Sequence, residues 1–452
     1  MELVGKRVLV VGLGKSGQAA AAALARSGAS VQACDLKAME EFDHDAVTVL
    51  QKQGVIIHTG GYPQVGAESY DLLVASPGIS LEIEPFQAAR AHSIPIIGEV
   101  ELAYQIKKPQ VDMLAVTGTN GKTTTTALLE HILKADGRNA AAGGNIGIPL
   151  TTLAEEMEQG IIAVEMSSFQ LETIHEFKPR VSAMLNITPD HLDRHKTMQA
   201  YQTAKARIFE NQSGQDYALL NYDDETIRGM AAQCPAKVWF FSQVQTLEEG
   251  VFLEQGGIAV RNRGVTYHIC GQNEVLLRGR HNMENILCAT GVAFAYGIAA
   301  EVIGSALKTF PGVRHRLEVA ADIDGVLYIN DSKATNPDSV IKALDAMDRP
   351  VILIAGGRSK GGNFDDLAQL IGRKVKALVL LGEARGELRR AVMDADFQNI
   401  YEVETLQDAV DTARRMAIGG DVVLLSPACA SWDMFLNYEQ RGDLFCNLVK
   451  LK

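Results

Sequence analysis

The stretch VDMLAVTGTNGKTTTTA, residues 111–127, constrains this 452-residue chain more than any other. An apolar run ends in a glycine-rich turn, and a helix-compatible segment begins with Gly121, Lys122 and Thr123. A buried strand, a tight turn and a helix in that order aim main-chain N–H groups at whatever sits on the helix N-terminus, which favours an anion. Lys122 supplies charge for β- and γ-phosphates and the Thr123 hydroxyl suits Mg²⁺, so the segment Gly118, Thr119, Asn120, Gly121, Lys122, Thr123, Thr124 reads as a nucleoside-triphosphate cradle. The general pattern places a glycine five residues before Gly121. Here Val116 stands there and Gly118 lies within a Thr-Gly-Thr-Asn turn, so the loop is a shortened variant. A glycine turn that merely starts an ordinary helix is the plainer reading, and the strand before it and the helix after it argue against that.

A second glycine signal sits near the start. Lys6–Val11 is an apolar strand, Gly12-Leu13-Gly14-Lys15-Ser16-Gly17 follows, then an alanine-rich helix from Gln18 to Ala25, a strand at Ser30–Cys34, and Asp35. This matches the dinucleotide fingerprint with its acidic residue. The physics requires less than NAD, because close-packing glycines and a helix N-terminus accommodate any nucleotide diphosphate. Lys37, just past Asp35, suits a phosphate or a nucleotide edge better than a plain NAD ribose.

With 47% hydrophobic residues over this length, the chain can bury two or three α/β cores. A net charge of −12 with no basic run argues against bulk nucleic-acid binding. The six cysteines, Cys34, Cys234, Cys270, Cys288, Cys429 and Cys446, have neither CxxC nor zinc spacing and read as reduced thiols of a cytosolic protein. No apolar run is long enough to span a bilayer and no secretory leader is expected.

Three blocks alternate strand and helix. Residues 1–106 carry strands near Lys6–Val11, Ser30–Cys34 and Asp71–Ala75, a Ser76-Pro77-Gly78 turn and a helix near Pro85–His92, ending at a linker around Lys107–Pro109. Residues 107–311 carry the phosphate loop, strands at Ile161–Met166, Val181–Asn186, Tyr217–Leu220 and Val238–Phe241, and glycine-broken β segments over Val251–Cys270 that read as an antiparallel hairpin appendage. Residues 312–452 carry four more strands, Leu327–Ile329, Val351–Ala355, Ala377–Leu381 and Val422–Ser426, with helices between them. The class is α/β, with mostly parallel sheets.

Polar clusters follow several strands. Glu165 ends an apolar strand, where it either caps the next turn or, given the phosphate loop, binds Mg²⁺. Asp190-His191-Leu192-Asp193-Arg194-His195 is a solvated loop or a ligand-bearing one, with His191 the candidate. Lys205 and Arg207, within a helical run, read by spacing as surface charges. In the third block, Asp331–Asn336, Gly356–Gly362 and Ser426–Asp433 all follow apolar strands, and polar loops at three strand ends predict a substrate-binding sheet edge.

Those residues carry a resemblance. TGTNGKTT at Thr117–Thr124, EMSSFQLE at Glu165–Glu172, DHLDR at Asp190–Arg194, HNMEN at His281–Asn285, HRLE at His315–Glu318, NDSKATN at Asn330–Asn336 and SPACASWD at Ser426–Asp433 resemble, in order and across the whole chain, the Mur ligases, ATP-dependent amino-acid ligases of peptidoglycan synthesis. NDSKATN and SPACAS are most similar to the members that join D-glutamate to UDP-N-acetylmuramoyl-L-alanine. Members adding another amino acid are the nearest rival, and a nucleotide-gated binding protein without turnover is the alternative of another class.

The resemblance implies a Rossmann-like N-terminal domain, a central P-loop domain and a Rossmann-like C-terminal domain in a cytoplasmic monomer. Gly14, Lys15, Ser16, Leu36, Lys37, Ser76, Gly78, Asn145, Ser167 and His191 match contacts of the UDP-substrate, so the first glycine signal serves UDP rather than NAD. Asn282, Asn285, Arg316 and Asp331 join the phosphate loop at ATP. Lys333, Thr335, Lys360, Ser431 and Tyr438 match the D-glutamate pocket, Tyr438 replacing the phenylalanine of many relatives. Two Mg²⁺ ions are implied, held by Thr123, Glu165, His191 and a carbamylated Lys205, with Lys122, Glu165, His191 and Lys205 as the catalytic set. Ligands drawn from separate domains imply closure on binding.

Overall fold

The computed structural model describes residues 2–145, 147–277, 279–359, 361 and 363–451. The chain divides into two compact units, Met1–Val275 with Glu284–Phe310, and Leu276–Met283 with Pro311–Lys452.

The first unit holds two sheets. Strands β1 (Arg7–Val11), β2 (Ser30–Asp35), β3 (Ile56–Thr59), β4 (Leu72–Ala75) and β5 (Ile96–Gly98) are all parallel, in the order β3-β2-β1-β4-β5. The winding reverses between β1 and β4, so the loops leaving their C-terminal ends flank a crevice. The helix Lys15–Arg26 packs Ala20, Ala21 and Leu24 against Val8 and Val10. It descends close to β1 because Gly17 has no side chain, since a Cβ there would run into the Gly12 carbonyl.

The central sheet runs β14-β13-β12-β11-β10-β9-β6-β8-β7. Its strands are β6 (Val111–Thr117), β7 (Ala140–Gly144), β8 (Gly160–Glu165), β9 (Val181–Met184), β10 (Tyr217–Asn221), β11 (Lys237–Ser242), β12 (Gly250–Glu254), β13 (Gly257–Asn262) and β14 (Val265–Gly271). The segment expected as a hairpin appendage is not separate. β12 pairs parallel with β11, and β13 and β14 extend the same sheet antiparallel. Val251, Phe252, Ile258, Ala259 and Val260 are buried, so these strands need the cover of the main core and cannot stand apart. β7, with sequence AAAGG, escapes sequence reading because it has no β-branched or aromatic residue to mark it.

The helix Glu99–Ile106 occupies the stretch before the expected linker. Two buried carboxylates fasten it. Glu101 accepts the main-chain N–H groups of His175, Glu176 and Phe177 at 2.8–3.1 Å. Glu99 Oε1 accepts the Thr151 N–H at 2.6 Å and its hydroxyl at 2.9 Å, while Glu99 Oε2 is buried without a partner.

The second unit contains β15 (Glu318–Ile323), β16 (Val326–Asn330), β17 (Val351–Gly356), β18 (Val375–Leu381), β19 (Ile400–Glu402) and β20 (Val422–Ala428), in the order β15-β16-β20-β17-β18-β19. Among the strand pairs of the described residues in this sheet, β15–β16 is antiparallel and the others are parallel. β16, β20 and β17 are neighbours, so the three polar loops anticipated from sequence leave one sheet edge together. Asn336 caps the helix Pro337–Asp345 by accepting from Ser339 N–H, with Pro337 in its first turn.

Burial pushes the Glu99 carboxyl up from 4.5 to about 7, against the hydrogen bonds from Thr151 that pull it down. Between those values the unfolded chain is ionised at this position while the folded chain still holds the proton, so stability falls as pH rises, by up to about 3 kcal/mol. Glu99→Gln keeps an acceptor for Thr151 and removes the ionisation. Thermal melts should therefore show the variant gaining on the wild type from pH 5 to pH 8. A constant difference in Tm across that range would contradict the assignment.

Candidate active site

β6 lies between β8 and β9, which brings three loops to one edge of the central sheet. The phosphate loop leaves β6. Thr119 N–H donates to the Asn186 carbonyl and Asn120 N–H to Asn186 Oδ1, both at 2.8 Å. Asn186 Nδ2 donates in turn to Glu284 Oε1 at 2.6 Å. Gly121 then turns the chain with φ +86° into the helix Lys122–Ala135. Lys122 Nζ lies 2.8 Å from the Gly118 carbonyl and 2.7 Å from that of Thr119, which holds a cation inside the turn. Thr123 and Thr124 follow in the first helical turn, and the Thr124 hydroxyl is buried without a protein partner.

Lys205 is not a surface charge. It is 1% exposed on the helix Met198–Ala206, its Nζ donates to the Gly118 carbonyl at 2.8 Å, and it stands 4.7 Å from the centre of the Tyr201 ring. Burial, and then the neighbouring Lys122 charge, push its pKa well below 10.5. Tyr201, Lys205 and Ile208 share the spacing of one buried helical face, a signal that the charge obscured. Arg207 is also engaged, capping the carbonyls of Leu171, Glu172 and Ile174.

Glu165, 2% exposed at the end of β8, accepts from Asn145 Nδ2 at 2.9 Å. His191 follows β9 in left-handed backbone, φ +53°, with its ring edge-on to Phe169 at 4.9 Å and Nε2 3.5 Å from Asp190 Oδ2. Among the described residues no three His, Cys, Asp or Glu side chains converge as a metal site. A cation here would be completed by a hydroxyl, phosphate oxygens, water or a modified side chain, which is how Mg²⁺ is bound at nucleotide sites.

The crevice between β1 and β4 measures about 260 Å³ and brings together Gly14, Lys15, Ser16, Ser76, Gly78 and Asn145. Leu36, 61% exposed, and Lys37 lie off its lining, as do Ser167 and His191. Ser167 is instead the N-cap of the helix Ser168–Leu171. Asp35 accepts from Leu13 N–H at 2.8 Å and Lys37 N–H at 3.1 Å.

In the second unit, Asp331 Oδ2 accepts the Ser426 hydroxyl at 2.7 Å and Oδ1 the Leu317 N–H at 3.2 Å. Burial pushes its carboxyl up to about 7, opposed by Ser426 and Arg316. Arg316 Nε is buried without a protein partner. Lys333 Nζ lies 5.4 Å from the centre of the Tyr438 ring, and the Tyr438 carbonyl accepts from Ser332 Oγ at 2.8 Å. Thr335 N–H closes a turn onto the Lys333 carbonyl, and Ser431 is buried. Lys360 lies outside the described residues. Asn282 and Asn285 share the helix Arg280–Tyr296, but Asn282 belongs to the second unit and Asn285 to the first, where its Oδ1 accepts from Thr125 Oγ1 at 3.3 Å. Sequence reading missed Arg441, whose buried guanidinium donates to Ser332 Oγ and O and the Cys429 carbonyl. It also missed Asn186, though a polar amide ending an apolar run was the available signal.

A mostly parallel α/β fold with a glycine turn, a lysine and a helix N-terminus at one edge of its central sheet sets the class. Comparison with known proteins narrows the class. The Mur ligase MurD-like N-terminal domain matches residues 6–98, the Mur ligase middle domain residues 116–293, and the Mur ligase glutamate ligase domain residues 315–429. The chain belongs to the Mur ligase family and is an ATP-dependent ligase. It is 47% identical to the UDP-N-acetylmuramoylalanine–D-glutamate ligase of Pelotomaculum thermopropionicum, covering 98% of this chain and 97% of that protein. It is 42% identical to the ligase of the same name from Clostridioides difficile, over the full length of both. Among solved structures, the UDP-N-acetylmuramate-alanine ligase of Thermotoga maritima shares the fold with a TM-score of 0.61 at 19% identity, covering 98% of this chain and 99% of that one.

Gly121 is the tightest point of the cradle. A Cβ there would meet Asn285 Oδ1 directly, in a backbone region that costs an L-residue about 1–3 kcal/mol. Gly121→Ala should weaken binding of a fluorescent ATP analogue more than tenfold in an equilibrium titration. Unchanged affinity would show that the turn tolerates the side chain and is not the cradle.

Proposed function

We propose that the protein joins D-glutamate to UDP-N-acetylmuramoyl-L-alanine, using ATP and releasing ADP and phosphate, as a cytoplasmic monomer in peptidoglycan precursor synthesis. The near-full-length identity of 42–47% to ligases named for that reaction carries the reading. Among the described residues no helix is long and apolar enough to cross a membrane, which is compatible with it. The proposed domains are residues 1–106 for the UDP-substrate, 107–311 for ATP and 312–452 for the amino acid.

The alanyl carboxylate attacks the γ-phosphorus of ATP and ADP leaves. The D-glutamate amine then attacks the resulting acyl phosphate and phosphate leaves. The first encounter is between two anions, so positive charge must be in place beforehand. Lys122, held by two loop carbonyls, supplies it without reorganisation. Gly14, Lys15, Ser16, Ser76, Gly78 and Asn145 hold the UDP-substrate in the first crevice, with Leu36, Lys37, Ser167 and His191 as further contacts. Asn282, Asn285, Arg316 and Asp331 bind ATP. Lys333, Thr335, Lys360, Ser431 and Tyr438 bind D-glutamate, whose carboxylates call for the two lysines.

Bound Mg²⁺, at two sites, would neutralise phosphate charge. Thr123, Glu165, His191 and Lys205 are the proposed holders. Thr123 and Glu165 offer oxygen donors that suit the ion. As an ammonium Lys205 would repel it, but an amine whose pKa burial has lowered is the form that adds CO₂, and the carbamate is an anion. Protein equilibrated with ¹³C-bicarbonate should show a carbamate carbon resonance that Lys205→Arg lacks. A wild-type spectrum without that resonance would remove the carbamate from the proposal.

Phosphate release with ATP, Mg²⁺ and UDP-N-acetylmuramoyl-L-alanine should depend on D-glutamate and not proceed with L-glutamate, L-alanine or L-lysine. Lys122→Ala should lower its kcat by about 10²–10³-fold, the scale for losing one preorganised transition-state donor. Turnover with a different amino acid would keep the family and change the substrate. No turnover with any would leave a nucleotide-gated binding protein.

A further inference from the structure

Three side chains to which neither the motifs nor the resemblance gave a role meet beside the central site: Ser168, Glu172 and His195. Ser168 Oγ and His195 Nε2 share a hydrogen bond at 2.9 Å, and His195 Nδ1 lies 3.4 Å from Glu172 Oε1. The His195 ring stacks on Phe169, with centres 5.3 Å apart and planes at 16°, and leans on Tyr201 at 5.1 Å. A serine, a histidine and a carboxylate in line have the order of an activated nucleophile. Ser168 is 2% exposed and His195 7%, however, so no substrate carbonyl can reach the hydroxyl. The group acts through what it holds.

It holds two loops that the sheet does not. Ser168 opens the helix Ser168–Leu171, directly after Ser167 and three residues past Glu165. His195 closes the helix Leu192–His195, and its N–H donates to the His191 carbonyl at 3.0 Å. β8 and β9, which feed these loops, are separated by β6, so no ladder hydrogen bond between them sets the spacing of Glu165 and His191. The Ser168–His195 bond crosses that gap. Arg194 crosses it again, with Nη2 3.0 Å from Glu172 Oε2 and its guanidinium 4.1 Å from the centre of the Phe169 ring. The left-handed backbone of His191 is costly for a non-glycine residue and persists only where its surroundings fix it.

We propose that His195 is a positioning residue that, through Ser168 and Glu172, clamps the Glu165–Ser168 loop to the His191 loop and sets the distance between Glu165 and His191. The inference rests on the function proposed above. Four variants test it: Ser168→Ala, His195→Phe, their combination, and His195→Gln. Phenylalanine keeps the ring packing without the acceptor, and glutamine restores an acceptor near the Nε2 position. Each of the first two should lower kcat by about 10–100-fold, the usual cost of losing a residue that orients a ligand-bearing side chain. KM for D-glutamate should stay within about twofold, because that pocket lies elsewhere. The double variant should fall no further than the worse single one, and His195→Gln should return to within about fivefold of wild type. Hydrogen exchange of residues 188–197 should quicken in Ser168→Ala and His195→Phe and not in His195→Gln, with β18 unchanged in all.

Single variants within twofold of wild-type kcat, or losses that multiply in the double variant, would overturn the clamp. If His195→Phe fails to fold, Ser168→Ala, which removes one oxygen, carries the comparison alone. If the wild type shows no D-glutamate-dependent turnover, the proposed function fails, and the exchange measurement still decides whether the clamp exists.

Discussion

The carbonyl of Gly118 receives two lysine side chains, Lys122 and Lys205, each at 2.8 Å. Two ammonium ions on one acceptor cannot both be well solvated where one of them is almost fully buried, so the pair is asymmetric by construction. Lys122 has a second carbonyl, that of Thr119, at 2.7 Å. Lys205 has the Tyr201 ring, an apolar wall and little water, and its proton is held weakly. The turn therefore holds two amines in unlike surroundings, one bonded to two carbonyls and one buried with its pKa lowered. Phosphoryl transfer between anions needs the first as a cation, and a site that also holds divalent cations gains from converting the second into an anion.

That asymmetry works only if the turn is rigid, and the sheet makes it so. Thr119 and Asn120 are fastened to Asn186 on the next strand's loop, and Asn186 is fastened to Glu284. The phosphate loop is consequently referenced to β9 as well as to its own β6. In the second unit the same logic recurs with different groups. Arg441, buried and pushed down to about 10, joins the loop after β16 to the loop after β20 through Ser332 and the Cys429 carbonyl. Each unit thus spends buried polar groups on fixing loop against loop. Unmatched polar groups in a core are costly, which makes such networks specific when they are complete.

Much of this was legible before the structure. Glycine turns after apolar runs, and polar loops at the ends of strands, are local signals, and both marked the right edges of the sheets. The limits were equally physical. β7 is built from alanine and glycine, and β12–β14 are interrupted by turns that look like a separate hairpin, so local pattern did not reveal that they belong to one sheet. By spacing alone Lys205 reads as solvated, because charge outweighs helical spacing in a sequence, and only the resemblance pointed inward; in the fold the Tyr201 face carries it there. Glu99, Glu101, His195 and Arg441 have partners tens of residues away, and no window of sequence contains both halves of such a bond.

Asp35 shows how a motif residue can serve the fold. As the acidic residue of a dinucleotide fingerprint it would be expected to face a ribose hydroxyl. Here its two oxygens accept main-chain N–H groups of Leu13 and Lys37, one in each loop that it joins. The carboxylate braces the crevice and is itself part of the lining, which also includes a helix N-terminus, Lys15, Ser16 and the Ser76–Gly78 turn. Those are donors for a diphosphate, with Asn145 reaching in from the loop after β7. The fingerprint specifies a geometry of glycines and a helix. The base or sugar at its far end is chosen by residues outside the pattern, so the fingerprint alone does not name a dinucleotide.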